Sequence, residues 1–412
     1  MTKYNLIVVG AGAAGMMSAI IAAREGKSVL LLEKLTKIGA KLKATGGGRC
    51  NLTNTLSNED FMTKFGRDGR FMSPALEYFD HKSLMDFFKT IGVESHAPDG
   101  FRVFPTSHSS LTIIHALTQE MDHLGIKVLC TQKVESLLHD TNKAIGIKTK
   151  IDTFYADAII VATGGMGYPM LGAEGDGYIM AEDVGHKVTK LHPAMMPLKV
   201  KEKWVENCRA DTIAKVAIKV DIKKYNKLKA LGDLIFTKHG IRGPVVLDFS
   251  REITPLLDKF DEVPVLANLT KGLNEEEIRL HIKKQLTLDS HRDTFSLIDT
   301  LLPSSVTIEL CKLAKIDGHL SWNKQKGLHR DALIKLLVWT PLTINGHDGF
   351  KMAMITRGGI SLKEIDPYTM QSKKLKNLYF CGEVMNIDGP CGGYNLQWSF
   401  ASGHLAGKQL GK

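Results

Sequence analysis

The stretch from Leu6 to Glu33 limits what this chain can fold into more than any other part of it. Leu6-Ile7-Val8-Val9 is an unbroken apolar run that stops on Gly10-Ala11-Gly12-Ala13-Ala14-Gly15, so a strand feeds straight into a glycine turn. Met16 to Ala23 is small and apolar at helical spacing until Gly26 ends the run, and Ser28-Val29-Leu30-Leu31-Leu32 is a second strand. That strand finishes on Glu33, eighteen residues past Gly15. The three glycines have separate tasks: Gly10 permits the turn, Gly12 lets a pyrophosphate approach the backbone, and Gly15 lets helix and strand pack closely. The turn brings free N–H groups and the positive end of a helix dipole against a diphosphate. Glu33 is placed for the ribose hydroxyls of an adenosine, and its charge speaks against a 2′-phosphate at that point.

At 412 residues the chain is long for one core, so two or three domains are expected. The net charge of +10 permits an acidic partner without naming one. Six cysteines, Cys50, Cys130, Cys208, Cys311, Cys381 and Cys391, are scattered without a C-x-x-C pair. They indicate neither a disulfide framework nor a zinc site, and a reducing cytoplasm suits them. The apolar N-terminal stretch is broken by its glycines and continues into the same fold unit, which argues against a cleaved signal. No stretch reaches the ~18 apolar residues a membrane span needs. The expectation is a soluble cytoplasmic protein with no metal and no membrane partner.

Lys34 to Asn51 is too rich in glycine and lysine for a strand and reads as an ordered loop. Gly46-Gly47-Gly48 frees its backbone to follow a ligand, while Lys41, Lys43 and Arg49 offer cations to phosphate oxygens, or else form a solvated basic loop. Helices are expected over Glu77–Ile91 and Ser109–Leu124, then strands at Lys127–Cys130 and Lys133–Leu137 and a small meander through Ala144–Thr149 and Thr153–Tyr155. A separate strand, Ala158–Ala162, runs into Thr163-Gly164-Gly165, a second place where backbone can approach a cofactor. From about Leu191 the texture changes. Ten basic residues face four acidic ones between Lys199 and Lys229, and Ala214 to Ile222 alternates as a half-exposed strand does. The alternation accounts for the lysines, aromatics for stacking are few, and nucleic acid is not expected as a partner. Helices follow from Asn274, Pro303 and Arg330, so residues 191–349 read as a sheet followed by a helical lobe. The strand Leu378-Tyr379-Phe380 then leads through Cys381-Gly382-Glu383 to a glycine turn and a helix from Leu396 to Gln409, presenting a second anion site.

With these residues in view the chain resembles the BaiN-type flavoproteins, a family of NAD(P)/FAD-dependent oxidoreductases that includes aminoacetone oxidase-like members. The resemblance rests on Val-Gly-Ala-Gly-Ala-Ala-Gly from Val9, Ala-Thr-Gly-Gly-Gly-Arg-Cys-Asn from Ala44, Arg-Val-Phe-Pro from Arg102 and Ala-Thr-Gly-Gly from Ala162. It continues through Thr356-Arg-Gly-Gly359, Pro367-Tyr-Thr-Met370, Gly382-Glu-Val384 and Gly392-Gly-Tyr-Asn-Leu-Gln397. It implies an α/β fold: a two-segment Rossmann-type FAD-binding domain, residues 1–190 and 350–412, with an inserted β-rich plus helical middle domain at 191–349 that caps the substrate. By resemblance Gly10, Gly12, Ala13, Ala14 and Gly15 meet the pyrophosphate, Glu33 the ribose and Lys34 the adenosine edge. Lys41, Gly47, Gly48, Arg49, Cys50 and Asn51 run beside the cofactor, as do Thr163, Gly164 and Gly165, and Val134 meets adenine through its backbone. Gly382 and Glu383 hold a ribityl hydroxyl with Asp388 close by, and Gly393, Tyr394, Asn395 and Leu396 lie along the flavin. The helix dipole there suits negative charge at the N1 side of a reduced ring.

The family pattern has a histidine and a serine where this chain has Lys238 and Arg242, which shifts specificity toward an anionic substrate if that loop touches it. The implied activity is hydride exchange at flavin N5 with a small or steroid-sized molecule, foremost reduction of a conjugated C=C using NAD(P)H. Amine oxidation with peroxide release is the alternative, and a flavin-bearing RNA-modifying or RNA-binding protein is the alternative of another class. Because a second glycine fingerprint is missing, NAD(P)H is expected to dock transiently over the flavin. Tyr394, Arg102, His239 and His108 are the acid–base candidates, since each can donate or relay a proton from a loop. Cys50, Cys381 and Cys391 are more readily inert than a redox pair. The oligomeric state is open.

Overall fold

The computed structural model describes residues 3–409. The chain forms two compact units, one from the residues up to Pro193 together with those from Ala353 on, the other from Ala194 to Met352.

In the first unit, strand β1 (Lys3–Val9) and strand β2 (Val29–Leu32) flank helix α1 (Ala13–Arg24) in sequence and pair in parallel, Leu6 opposite Val29 and Val9 opposite Leu32. Leu6, Ile7 and Val8 have no exposed surface, as strands covered on both faces require. β2 continues to Lys127–Leu129, and β1 pairs on its other side with Thr153–Val161. That nine-residue strand is one element, where two were expected. Its first residues pair antiparallel with Ala144–Thr149, while its last pair in parallel with β1 and with Leu378–Phe380. Asp157 does not interrupt it, because its exposed carboxylate bonds Lys3 and the Asn5 amide at the strand surface. The expected helix from Glu77 is also corrected: Ser73–Tyr78 and His81–Thr90 are separate helices. Asp80 divides them by accepting from the Ser83 N–H at 2.8 Å, the N-cap bond that starts the second.

The helix Tyr394–Lys408 packs along α1 on a seam of small residues. A Cβ on Gly403 would lie 2.4 Å from the Ala14 carbonyl oxygen, and one on Gly407 2.5 Å from that of Ser18. Only hydrogen at both positions allows this approach. The two-segment Rossmann-type sheet is therefore built from both ends of the described chain.

The second unit departs from a sheet followed by a lobe. Its six strands close into a barrel in the order Leu198–Val200, Gly240–Arg242, Lys229–Phe236, Thr212–Val220, Val263–Asn268, Thr340–His347. The last of these follows the helices in sequence and closes the ring by pairing with Leu198–Val200. Val216, Ile218, Val220, Leu234, Phe236 and Ile344 fill its interior, and the exposed lysines occupy the alternate positions. A 17-residue helix, Pro244–Phe260, lies in the region where no helix was expected. The helix Glu275–Leu288 follows its capping residue, since Asn274 and Glu277 form a reciprocal capping box.

Candidate functional site

The glycine turn divides its tasks as its spacing requires. A Cβ on Gly15 would stand 1.9 Å from the Gly10 carbonyl oxygen, so this position sets the distance between α1 and β1. Gly10 has φ +100°, and a Cβ there would meet the Ala162 carbonyl at 2.7 Å. Gly12 is different: no atom lies within 4 Å of its would-be Cβ, and it begins α1 without any side-chain cap. The helix N-terminus therefore opens on free space with its amides available, which fits a diphosphate. Ala13 beside it is half-buried and Ala14 buried.

Glu33 folds back onto this turn. Its carboxylate accepts from the Ala11 N–H at 3.0 Å and from the Leu35 N–H at 2.9 Å. Each oxygen keeps a lone pair for a further donor such as a ribose hydroxyl. Gly10, Glu33, Lys34, Val134 and Thr163 line one solvent-open cleft. Its other wall holds residues missed in the sequence, chiefly Lys133, Gly172 and Asp176. Lys34 binds Asp176 at 2.5 Å and Glu174 at 2.7 Å, and Lys133 binds Asp176 at 2.9 Å. Burial pushes the Asp176 carboxyl up, but hydrogen bonds from the two lysines outweigh it and hold the group below the usual carboxylate range. A larger depression in the other unit, at Arg279, Trp322 and Ile334, gathers none of the candidates.

The glycine-rich loop is a short helix, Ala40–Ala44, followed by a tight turn in which Gly46 and Gly47 take φ of +58° and +65°. Nothing stands within 4 Å of a Cβ on Gly47 or Gly48, so the backbone is bare there. Arg49 is exposed and turns to the Phe104 ring, its guanidinium carbon 5.4 Å from the centroid. Cys50 is buried, and burial pushes its thiol up to about 12. Among the described residues, none of the six cysteines is in a disulfide. The Asn51 amide, oriented by its surroundings, donates to the Thr53 carbonyl at 3.0 Å and accepts from the Gly393 N–H at 3.1 Å. Residues far apart in sequence are joined by that bond.

A second junction forms at Glu383. It accepts from Lys41 at 2.8 Å and from the Thr356 N–H at 2.9 Å, while the Thr356 hydroxyl accepts from the Met166 N–H at 2.7 Å. Gly165 must be glycine here, because a Cβ would lie 2.3 Å from the Thr356 hydroxyl. Gly164, by contrast, faces open space. The Thr163 hydroxyl is buried without a protein partner, an unmet polar group at the cleft wall. Gly382 rests against Ala14, which brings the Glu383 turn to α1. These observations fit FAD: an uncapped helix start over free space, an orphaned hydroxyl, and two carboxylates anchored by backbone N–H groups.

The remaining candidates take separate places. Asp388 faces Arg357 at 3.9 Å. The Gly393 turn sits on Thr53, and Asn395 clamps the loop before it, accepting from the Gly389 N–H at 2.7 Å and donating to the Gly389 carbonyl at 2.9 Å. Leu396 is half-buried. The Tyr394 ring is buried among Phe61, Phe65 and Phe101, the first 5.0 Å away. Arg102 is exposed and bonds Asp99 at 2.7 Å, and His108 is exposed nearby. His239 lies in the second unit, exposed at the turn between Lys229–Phe236 and Gly240–Arg242, with Lys238 and Arg242 also exposed.

The model of the HI0933-like protein Rossmann domain matches residues 4–409. The chain belongs to the HI0933-like family. It is an FAD-dependent oxidoreductase, and its resemblance to BaiN-type flavoproteins is borne out. It is 30% identical over 404 residues to the 3-dehydro-bile acid delta(4,6)-reductase of Clostridium scindens, covering 97% of each chain. It is 27% identical over 412 residues to the ribosomal RNA dihydrouridine synthase of Escherichia coli, covering 100% of this chain and 98% of that one. The solved 3-ketosteroid-delta4-(5alpha)-dehydrogenase of Rhodococcus jostii shares the fold, with a TM-score of 0.52 at 16% identity over 100% of this chain and 97% of that one. Among the described residues, no helix of this family member is long and apolar enough to cross a membrane.

Proposed function

We propose that this HI0933-like protein reduces a carbon–carbon double bond conjugated to a carbonyl group in a small organic molecule. The observation that carries the reading is one chemistry shared by the names of two relatives matched along their whole length. A 3-oxo compound unsaturated at position 4 and a uracil ring both place the alkene next to a carbonyl, so each accepts hydride at the carbon remote from it and a proton at the nearer one. FAD supplies the hydride from its reduced ring when bound, and NAD(P)H is the proposed donor, docking transiently because the chain has a single dinucleotide turn.

The protein's part is binding and orientation. The Gly12 turn takes the pyrophosphate, Glu33 the ribose, and the Lys41–Glu383 junction a ribityl hydroxyl, while Asn51 and Asn395 fix the loops of both segments. The Ala194–Met352 unit is the proposed substrate cap. A steroid-sized enone is preferred because the bile acid relative has the higher identity. The second reading, reduction of a uracil in RNA, is favoured by the dihydrouridine synthase match and by the exposed lysines of the barrel.

The test is anaerobic. Flavin-loaded protein is mixed with NADH or NADPH, bleaching near 450 nm is followed, and a 3-oxo-4-ene steroid, an unmodified ribosomal RNA, an amine and oxygen are supplied in turn. Bleaching by a nicotinamide and recovery with the enone support the reading. Recovery with RNA alone moves it to the second. Bleaching by the amine with peroxide release would make the protein an oxidase and end both.

A further inference from the structure

We propose that Arg49 and Arg102, with His96 and His108, form a docking site for an oxyanion, the phosphate or carboxylate carried by one of the two reactants. This rests on the reading of the protein as a reductase that takes a donor and an acceptor in turn.

Both guanidinium groups lie over the same ring: Arg49 is 5.4 Å and Arg102 5.9 Å from the Phe104 centroid. Two like charges held beside one ring repel, and a cation–π contact at an exposed site returns little. One acid is close. Asp99 takes the Arg102 Nε at 2.7 Å, and the Arg49 Nε donates to the Gly46 carbonyl at 3.3 Å. Among the described residues neither arginine uses a terminal nitrogen on a protein partner, so both keep the edge that binds a carboxylate or phosphate.

The imidazoles add to this. His108 stands 5.8 Å from the Phe104 ring and 4.9 Å from that of His96, edge to face. His96 Nδ1 is buried with no hydrogen-bond partner. His108 is a non-glycine residue at φ +48°, a conformation that costs energy and often accompanies function. Stacking explains each arginine separately; it leaves unmet the His96 nitrogen, which is linked to them through the His108 and Phe104 rings. The Phe104 ring also lies 3.6 Å from the position of a Cβ on Gly46, so the cluster adjoins the glycine-rich loop but stays outside the Glu33 cleft. Arg49, Arg102 and His108 are exposed, as groups that meet a molecule that comes and goes should be.

The experiment uses flavin-loaded full chain, so that the Gly12 turn is filled, and measures binding by calorimetry at low salt. The probes are inorganic pyrophosphate and, separately, hexanoate. The Arg49→Gln/Arg102→Gln variant should bind the preferred probe at least tenfold more weakly, with flavin content and melting temperature kept as checks on folding. Asp99→Asn removes the carboxylate charge that competes for Arg102 and should tighten binding about threefold, a gain that a misfolded protein cannot give. Preference for pyrophosphate assigns the site to the electron donor, and preference for hexanoate to the organic substrate. No binding of either probe to the wild type, or equal binding by wild type and both variants, overturns the proposal. Because no turnover is read, an error in the proposed reaction leaves this result standing.

Discussion

Replacing Gly12 and Gly15 one at a time should separate binding from folding within a single turn. A methyl on Gly15 would sit 1.9 Å from the Gly10 carbonyl oxygen and 3.3 Å from the Ala162 methyl, so α1 has to withdraw from β1 by more than 1 Å. Overpacking of a rigid core costs ~1–3 kcal/mol, and a clash with backbone lies at the upper end. About 3 kcal/mol corresponds to a fall in melting temperature of roughly 6–12 °C for a domain of this size. Gly12→Ala meets nothing within 4 Å and keeps an extended backbone, φ −84° and ψ −170°, that any residue adopts. Its folding stability should stay within ~0.5 kcal/mol of wild type. The added methyl nonetheless fills the space over the helix start, and FAD affinity should fall at least tenfold. Thermal unfolding of flavin-free protein, with hydrogen exchange at α1 amides to identify the unit that melts, reads the first effect. Fluorescence titration with FAD reads the second. A Gly12→Ala protein with wild-type FAD affinity, or a Gly15→Ala protein that melts with wild type, would refute this division of labour.

Glu33→Ala should weaken FAD retention on ultrafiltration by tenfold or more, with Glu33→Gln intermediate because an amide oxygen still accepts one of the two N–H bonds. The Lys41 and Glu383 side chains are 25% and 17% exposed, so a double-mutant cycle with Lys41→Met and Glu383→Gln, read by denaturant unfolding, should give a coupling of about 1 kcal/mol. His404 stacks on Phe79 at 4.3 Å, and burial, helped by Lys408 and Arg24, holds its imidazole down to about 4 from 6.5. The unfolded chain binds the extra proton first, so stability should fall as pH drops from 6.5 toward 4. His404→Phe should remove on the order of 2 kcal/mol of that fall; an unchanged pH profile of unfolding would reject the assignment.

What the sequence discloses here is local. Ala144–Thr149 and Leu378–Phe380 are legible as strands because their apolar runs are bounded by turn residues, and Ser109 and Asn274 mark helix starts because their side chains accept the orphan N–H groups. The break at Asp80 escapes because the periodicity of Phe79, Leu84 and Phe87 runs on across a capping residue. The barrel escapes because Thr340–His347 closes it against a strand about 140 residues earlier, a pairing no short window contains. The site divides in the same way. Gly12 and Gly15 carry their roles in their spacing, whereas Lys41–Glu383 and Lys34–Asp176 join residues 342 and 142 positions apart. Arg49 is legible as a loop cation, but the Phe104 ring it stacks on lies on another strand, a contact its own loop does not disclose.

The strand Thr153–Val161 waits for a neighbour that is made much later. More than two hundred residues separate Val161 from Leu378, and at ~5–20 residues per second the ribosome needs about 10–40 s to deliver the strand that lies beside it. The intervening barrel has its own core and can fold in that interval. Until Leu378–Phe380 docks and Gly403 settles on Ala14, one flank of the first sheet stays open and the Glu383 junction does not exist. A chain stalled during synthesis would therefore carry the dinucleotide turn yet hold no flavin, and colour becomes a report that translation has passed the Tyr394 helix.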